Sequence, residues 1–167
     1  DCGNVSEATQ IFNFIDTTAP ELTIPADYTA ECSDDHPMDQ AVATDACGSV
    51  TVSLSEWTTP GNAIGNYVIT RTFTATDDCG NFTSDSQTIT IVDTTAPELT
   101  IPEDYSMECG ETMVLADASA TDNCGDVSVI VTTLTIAGTC SGNYAVHRTF
   151  TATDDAGNAS ALTQIIS

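Results

Sequence analysis

The sequence predicts an all-β chain built from tandem small antiparallel sandwiches, and three observations carry that prediction. The decapeptide DTTAPELTIP stands at residues 16–25 and again at 93–102, 77 positions later. Shifting the sequence by 77 aligns 16–90 with 93–167 without a gap at about half identity, and self-similarity at a fixed period marks an array of like units. Helical periodicity is absent, and short runs rich in threonine, valine and isoleucine alternate between clusters of Gly, Pro, Asn and Asp.

Residues 1–15, DCGNVSEATQIFNFI, align with 78–92, DCGNFTSDSQTITIV. They therefore read as the terminal strand of a preceding module, or as a strand donated to a neighbour. Module 1 then spans 16–92 and module 2 spans 93–167. Each opens on DTTAPELTIP, which is a joint followed by a first strand. Pro20 and Pro97 fix their own φ and bias Ala19 and Ala96 toward extended backbone. A joint with no Gly-Ser slack is stiff. VTVSL (50–54), NYVITRTFTATD (66–77) and QTITIV (87–92) alternate as strands do. Tyr67, Ile69, Phe73 and Ala75 share one face of the second of these, with threonines mostly on the other. A core built from about 77 residues is small and ordinarily needs staples.

Twenty-five acidic residues face two arginines and no lysine, a net charge of −23. That balance excludes nucleic acid and anionic membranes as partners, since nothing neutralises phosphates. No run approaches the roughly 20 apolar residues of a membrane span. No stretch reads as a leader, so the chain starts as if already processed or cut from something longer. The seven cysteines include no C-x-x-C, which removes zinc ribbons and thioredoxin-type chemistry and points to disulfides in an oxidising exterior.

With DTTAPELTIP opening each module, TDACG (44–48) and TDNCG (121–125) before the third strand, and RTFTATDDCGN (71–81) through the penultimate strand, the chain resembles a known group. These are the immunoglobulin-like, hyalin-repeat (HYR)-like tandem modules of bacterial surface proteins, especially those of Bacteroidota. The resemblance covers essentially the whole chain. It implies tandem immunoglobulin-like β-sandwich modules with a 77-residue repeat plus one extra N-terminal strand, serving as stalks, adhesin shafts or extracellular fibres. Ala63 and Ala156 depart from it, standing where relatives often carry Cys.

In such a sandwich TDACG and TDDCG (76–80) occupy loops at the pole where the first strand enters. Asp16, Asp45, Asp77 and Asp78 are expected to converge there, as are Asp93, Asp122, Asp154 and Asp155. Clustered carboxylates repel unless a hard cation takes oxygens from them, so calcium is the expected cofactor. The alternative is that these Asp residues only cap turns. Asp27 and Asp104, at the opposite pole, are placed to contribute across a joint.

Cysteine phase predicts Cys32–Cys47 and Cys109–Cys124 disulfides, each tying the second strand to the third. Cys2, Cys79 and Cys140 are left as candidates for bonds between modules or between chains, Cys140 reaching a Cys79-type residue of the next module. Otherwise their partners lie outside the chain. Asn4, Asn81 and Asn158 lie in N-x-[ST] sequons, although the GN turn alone accounts for that spacing. Thr17 and Thr94 lie in a DTT that resembles the Asp-Ser/Thr-x O-glycosylation site of Bacteroidota. Inward-facing Arg71 and Arg148 call for carboxylates, with Glu21, Glu31, Glu98 and Glu108 as candidates. His36 and His147 do not recur and read as surface residues.

No G-x-S-x-G, H-E-x-x-H or phosphate-loop pattern occurs, and the acidic pairs repeat without an implied cleft, so no catalysis is expected. The expected function is that of a structural subunit or segment of an extracellular fibre or adhesin stalk, stiffened by calcium and disulfides. Its partners would be copies of itself or neighbouring modules, with glycans a further candidate. The alternative is a carbohydrate- or cell-binding module, for which Trp57, replaced by Leu134 in the repeat, is the thin signal.

Overall fold

The computed structural model describes residues 2–167. It is all-β, with no helix among the described residues. The first repeat supplies β1 (Glu21–Thr23), β2 (Tyr28–Glu31), β3 (Val42–Thr44), β4 (Val50–Pro60), β5 (Tyr67–Asp77) and β6 (Phe82–Val92). The second supplies β7 (Glu98–Thr100), β8 (Ser119–Thr121), β9 (Val127–Ala137), β10 (Tyr144–Asp154) and β11 (Ala159–Ile166). Strands order as β1-β3, β2-β6-β5-β4, β7-β8 and β11-β10-β9.

The chain divides into two compact units. The first takes in residues up to Pro25 with Asp39–Ser55 and Arg71–Gln87. There β1 and β3 pair antiparallel, Leu22 opposite Ala43, and β5 buries Phe73, Ala75 and Asp77. The second holds Ala26–Met38, Glu56–Thr70 and Thr88–Ser167. In it β2 runs parallel to the last residues of β6, Tyr28 opposite Ile89 and Glu31 opposite Val92. Ile69, Ile89 and Ile91 form a core there, with Tyr28, Ala30 and Tyr67 packed on it. The same unit contains β10, flanked on its two sides by β9 and β11.

The period-2 pattern is realised residue by residue. Val146, Arg148, Phe150, Ala152 and Asp154 of β10 are buried, while Thr149 on the other face bonds Thr163 at 3.0 Å. Arg148 departs from the expected ion pair. Its guanidinium donates to the Ala116 carbonyl at 2.9 Å and to Gln164 Oε1 at 3.0 Å, and it lies 4.8 Å from the Phe150 ring centroid. Oriented dipoles and a π face together hold the cation where a carboxylate was expected.

The N-terminal segment differs from expectation too. Residues 2–20 contain no strand, and Ile11, Phe12, Phe14 and Ile15 are exposed. Alternation alone does not make a strand, because the ladder needs a partner edge.

Candidate metal centres

The turns that carry the acidic residues are built the same way in both repeats. β5 ends at Asp77, whose Oδ1 accepts the N–H groups of Cys79 (2.9 Å) and Asn81 (2.8 Å) and whose Oδ2 accepts Asn81 Nδ2 at 2.8 Å. At the end of β10, Asp154 Oδ1 accepts from Gly157 (2.7 Å) and Asn158 (2.8 Å), and its Oδ2 from Asn158 Nδ2 at 2.9 Å. The same amide reaches the next strand's approach: Asn81 Nδ2 donates to the Asp16 carbonyl at 3.3 Å, and Asn158 Nδ2 to that of Asp93 at 3.2 Å. Each asparagine therefore pins an Asp turn to a DTT joint. Both amide hydrogens are in use, so a glycan on Asn81 or Asn158, which replaces one of them, would sacrifice one of these bonds. This explains the recurrence of the sequon phase through turn geometry.

Two groups of carboxylates result, each with ligand oxygens within 4.8 Å of one another: Asp16, Asp45 and Asp77, then Asp93, Asp122 and Asp154. Asp77, Asp93 and Asp154 are buried. Asp16 Oδ1 and Asp122 Oδ1 accept from Thr18 (3.0 Å) and Cys124 (2.8 Å), but Asp16 Oδ2 and Asp122 Oδ2 are buried with no hydrogen-bond partner. Burial pushes the Asp93 carboxyl up against the opposing Thr95 N–H, and the nearby charges of Asp122, Asp154 and Glu31 push the same way. Burial also acts upward on Asp77 and Asp154, but there the hydrogen bonds from Asn81 and Asn158 and from neighbouring backbone N–H groups prevail and hold both below the ordinary carboxylate value. Crowded carboxylates with an orphaned oxygen in each group are what a hard divalent cation would satisfy, and an all-oxygen donor set suits calcium.

Other expected ligands stand elsewhere. Asp78 Oδ2 accepts from Ser49 N–H at 3.0 Å, and neither Asp78 nor Asp155 belongs to the two groups. Asp27 and Asp104 accept the N–H groups of Thr88 and Ile165, both at 2.7 Å, and so serve as braces. Glu31, expected only as a partner for an inward arginine, stands beside Asp93 with Cys32 and Cys124. It accepts Thr94 N–H at 3.1 Å and the Thr94 hydroxyl as well. His36, expected on the surface, is half-buried, with neither ring nitrogen hydrogen-bonded.

The disulfide pairing is a correction. Cys32 bonds Cys124, with Cα atoms 5.9 Å apart, and Cys47 and Cys109 are free and exposed, as are Cys2, Cys79 and Cys140. The expected Cys32–Cys47 and Cys109–Cys124 bonds are not formed. The reason is the direction of β2. Running parallel to β6, it carries Cys32 to the place where β6 delivers the chain into Asp93, and Cys32 N–H donates to the Val92 carbonyl at 3.2 Å. The Asp122 turn brings Cys124 there, because Asp122 clusters with Asp93. Asn66 Oδ1 accepts Asp93 N–H at 2.7 Å. Gly65, at φ 85°, lets this approach occur, since a Cβ on it would sit 3.0 Å from the Cys124 Cβ.

The chain matches no family model and no curated protein. Among solved structures it is similar to Drosophila N-cadherin EC1-4, at 18% identity over 89% of this chain and 49% of that one, with a TM-score of 0.38. It is also similar to the protocadherin GammaB4 extracellular domain, at 15% identity over 89% of this chain and 33% of that one, with a TM-score of 0.34. The chain thus spans about half and about a third of those two chains. At that likeness no property of either is transferred to this chain.

Proposed function

We propose that the chain is a structural, non-catalytic segment of an extracellular fibre or adhesin stalk. In this reading residues 16–92 and 93–167 are successive modules. Calcium at Asp16, Asp45 and Asp77, and at Asp93, Asp122 and Asp154 with Glu31 beside them, relieves the repulsion of the buried carboxylates and fixes the DTT joints. The carrying observation is the recurrence of the acidic group at one phase of the repeat, with the buried oxygens of Asp16 and Asp122 lacking partners. A part reproduced in identical form at a fixed interval suits a stiff repeating shaft better than an active site, which needs only one copy of its chemistry. The Cys32–Cys124 bond ties the two repeats covalently and suits an oxidising exterior. A carbohydrate- or cell-binding role rests on Trp57, which is 69% exposed.

Calcium when bound would draw its remaining ligands from carbonyls and water. Extracellular sites bind at roughly 10⁻⁴–10⁻³ M, so about 1 mM calcium stabilises by only around 0.4–1.4 kcal/mol per site. Thermal melting and small-angle scattering, in calcium and in chelator, test the reading. Calcium is expected to raise the midpoint by a few degrees and to sharpen the scattering at long distances. If chelation alters neither, the acidic groups are turn caps and the calcium reading fails.

A further inference from the structure

The open edge of β9 carries backbone groups that no strand of this chain uses. β9 ends the order β11-β10-β9 and pairs only with β10, so its other side meets no strand among the described residues. The hairpin fixes which way its backbone points. Gly138 N–H donates to the Asn143 carbonyl at 2.8 Å, and the register runs unbroken from Ala137 opposite Tyr144 to Val127 opposite Asp154. Backbone groups of an antiparallel strand change side at every residue. Even-numbered residues therefore bond β10, and Val129, Val131, Thr133 and Thr135 aim N–H and carbonyl outward. Such a row is a template for another strand.

The first repeat holds the equivalent strand with its edge protected. β4 ends the order β2-β6-β5-β4, and Gly61 N–H meets the Asn66 carbonyl as Gly138 meets that of Asn143. By the same alternation Pro60 falls at an outward position, where it sacrifices no ladder bond and offers an incoming strand no N–H. β4 also carries a charge, Glu56, which further disfavours pairing. Seventy-seven residues on, these positions are Ala137 and Thr133. β9 lacks both guards, and it exposes Ile130, Val131, Leu134 and Ile136.

Charge selects the occupant. The chain has 25 acidic residues and a net charge of −23, yet residues 127–153 contain no Asp or Glu. Two copies repel over most approaches, and along this stretch the repulsion is least. β9 is also complementary to itself. Laid antiparallel on its own copy about Thr132, it pairs along its whole length. Val129 and Val131 then meet Thr135 and Thr133 as hydrogen-bonded pairs. Val131 stands opposite the buried Phe150, so Ile130 and Leu134 lie on the other face, where they meet across the seam.

We propose that β9 joins β9 of a second copy of this chain, antiparallel about a twofold axis at Thr132, to make one continuous sheet of two β11-β10-β9 sets. The contact is isologous and closes at two copies. In a fibre it ties shafts side by side and adds no length. It goes beyond the calcium reading and does not depend on it. A single strand edge is a narrow contact of the weak class, so the test runs to millimolar protein.

The test uses the full chain with its free thiols alkylated without reduction, which keeps Cys32–Cys124 and prevents disulfides between copies. Sedimentation equilibrium is expected to show monomer and dimer, with dimer favoured by added salt as the remaining charges are screened. Amide exchange is expected to slow with concentration at Val129, Val131, Thr133 and Thr135. At Ile130, Thr132 and Leu134, already bonded to β10, it stays unchanged. Thr135→Pro removes an outward N–H as Pro60 does in β4, and Leu134→Glu sets a charge on the exposed face. Each is expected to weaken the dimer about tenfold or more, the scale of a lost hydrogen bond or a desolvated charge. The melting midpoint of Leu134→Glu stays near the parent's, which keeps the test decisive should the proline disturb the strand. Monomer at every concentration overturns the proposal. A dimer that Leu134→Glu leaves intact, or whose protection falls outside the four outward residues, overturns it too. A dimer weakened by salt overturns the charge argument that selects a second copy.

Discussion

Asn81 and Asn158 hold more of the architecture than their place in a turn suggests. Each spends its amide on an aspartate side chain and on the carbonyl of the residue opening the DTT stretch. Replacing Asn158 with alanine strands those acceptors in a half-buried site, and the expected cost is about 1–3 kcal/mol, read by denaturant unfolding; an effect near zero contradicts the bracing role. The electrostatics give a second prediction with a definite sign. Asp93 is held above its ordinary value of 3.8, so its ionisation costs stability as pH rises through that window. Asp77 and Asp154 are held below it, so their contribution is present above that value and is lost as pH falls through their folded values. Asp93→Asn therefore raises the neutral-pH melting midpoint in chelator and lowers it in calcium, relative to the parent in each buffer. The same sign in both buffers contradicts a cation at this group. Asp45 and Asp77 were legible from the echo of TDACG in TDDCG, and Asp16 from the entry of the first strand at the same pole. Asp78 was not separable from Asp77 by sequence, because only the chain's path shows that it turns to Ser49. Glu31 was hidden for a different reason, as its place beside Asp93 depends on a parallel pairing between residues some 60 apart.

At the level of strands, β5 and β10 are the most legible elements, because a buried inner column at every second residue leaves its pattern in the letters. Phe150, 2% exposed, anchors the β10 column and also supplies the ring under Arg148. Phe150→Ala is expected to cost about 3–5 kcal/mol, measured by urea unfolding. Leu134→Ala on exposed β9 is expected to lie within about 0.5 kcal/mol of the parent, and equal costs at the two sites would place the core elsewhere. The run at 11–15 alternates just as clearly yet forms no strand. Pattern reports what a segment offers to a sheet, while pairing depends on an edge that local sequence does not contain. Arg148 shows the same limit. An inward cation was legible, but its carbonyl and amide partners come from Ala116 and Gln164, which nothing in the spacing marks.

Across the whole chain, the 77-residue period is the strongest signal, and it also explains why the disulfides were mispaired. Cysteines at one phase fit a loop of 15 residues within a repeat as well as one of 92 residues across two, and only the direction of β2 chooses between them. The longer loop is worth about 4–5 kcal/mol in the chain-entropy model. Removing it with C32S/C124S is expected to lower stability by up to that amount and to leave each repeat's strands intact by circular dichroism; unchanged stability would argue that the bond constrains nothing. In the proposed function the groups Asp16, Asp45, Asp77 and Asp93, Asp122, Asp154 would each hold a calcium ion. Equilibrium dialysis measures this most directly. Two calcium ions per chain are expected, with dissociation constants of roughly 10⁻⁴–10⁻³ M, falling to one in either Asp45→Asn or Asp122→Asn. Saturable binding absent at millimolar calcium, or a stoichiometry indifferent to both substitutions, would contradict it.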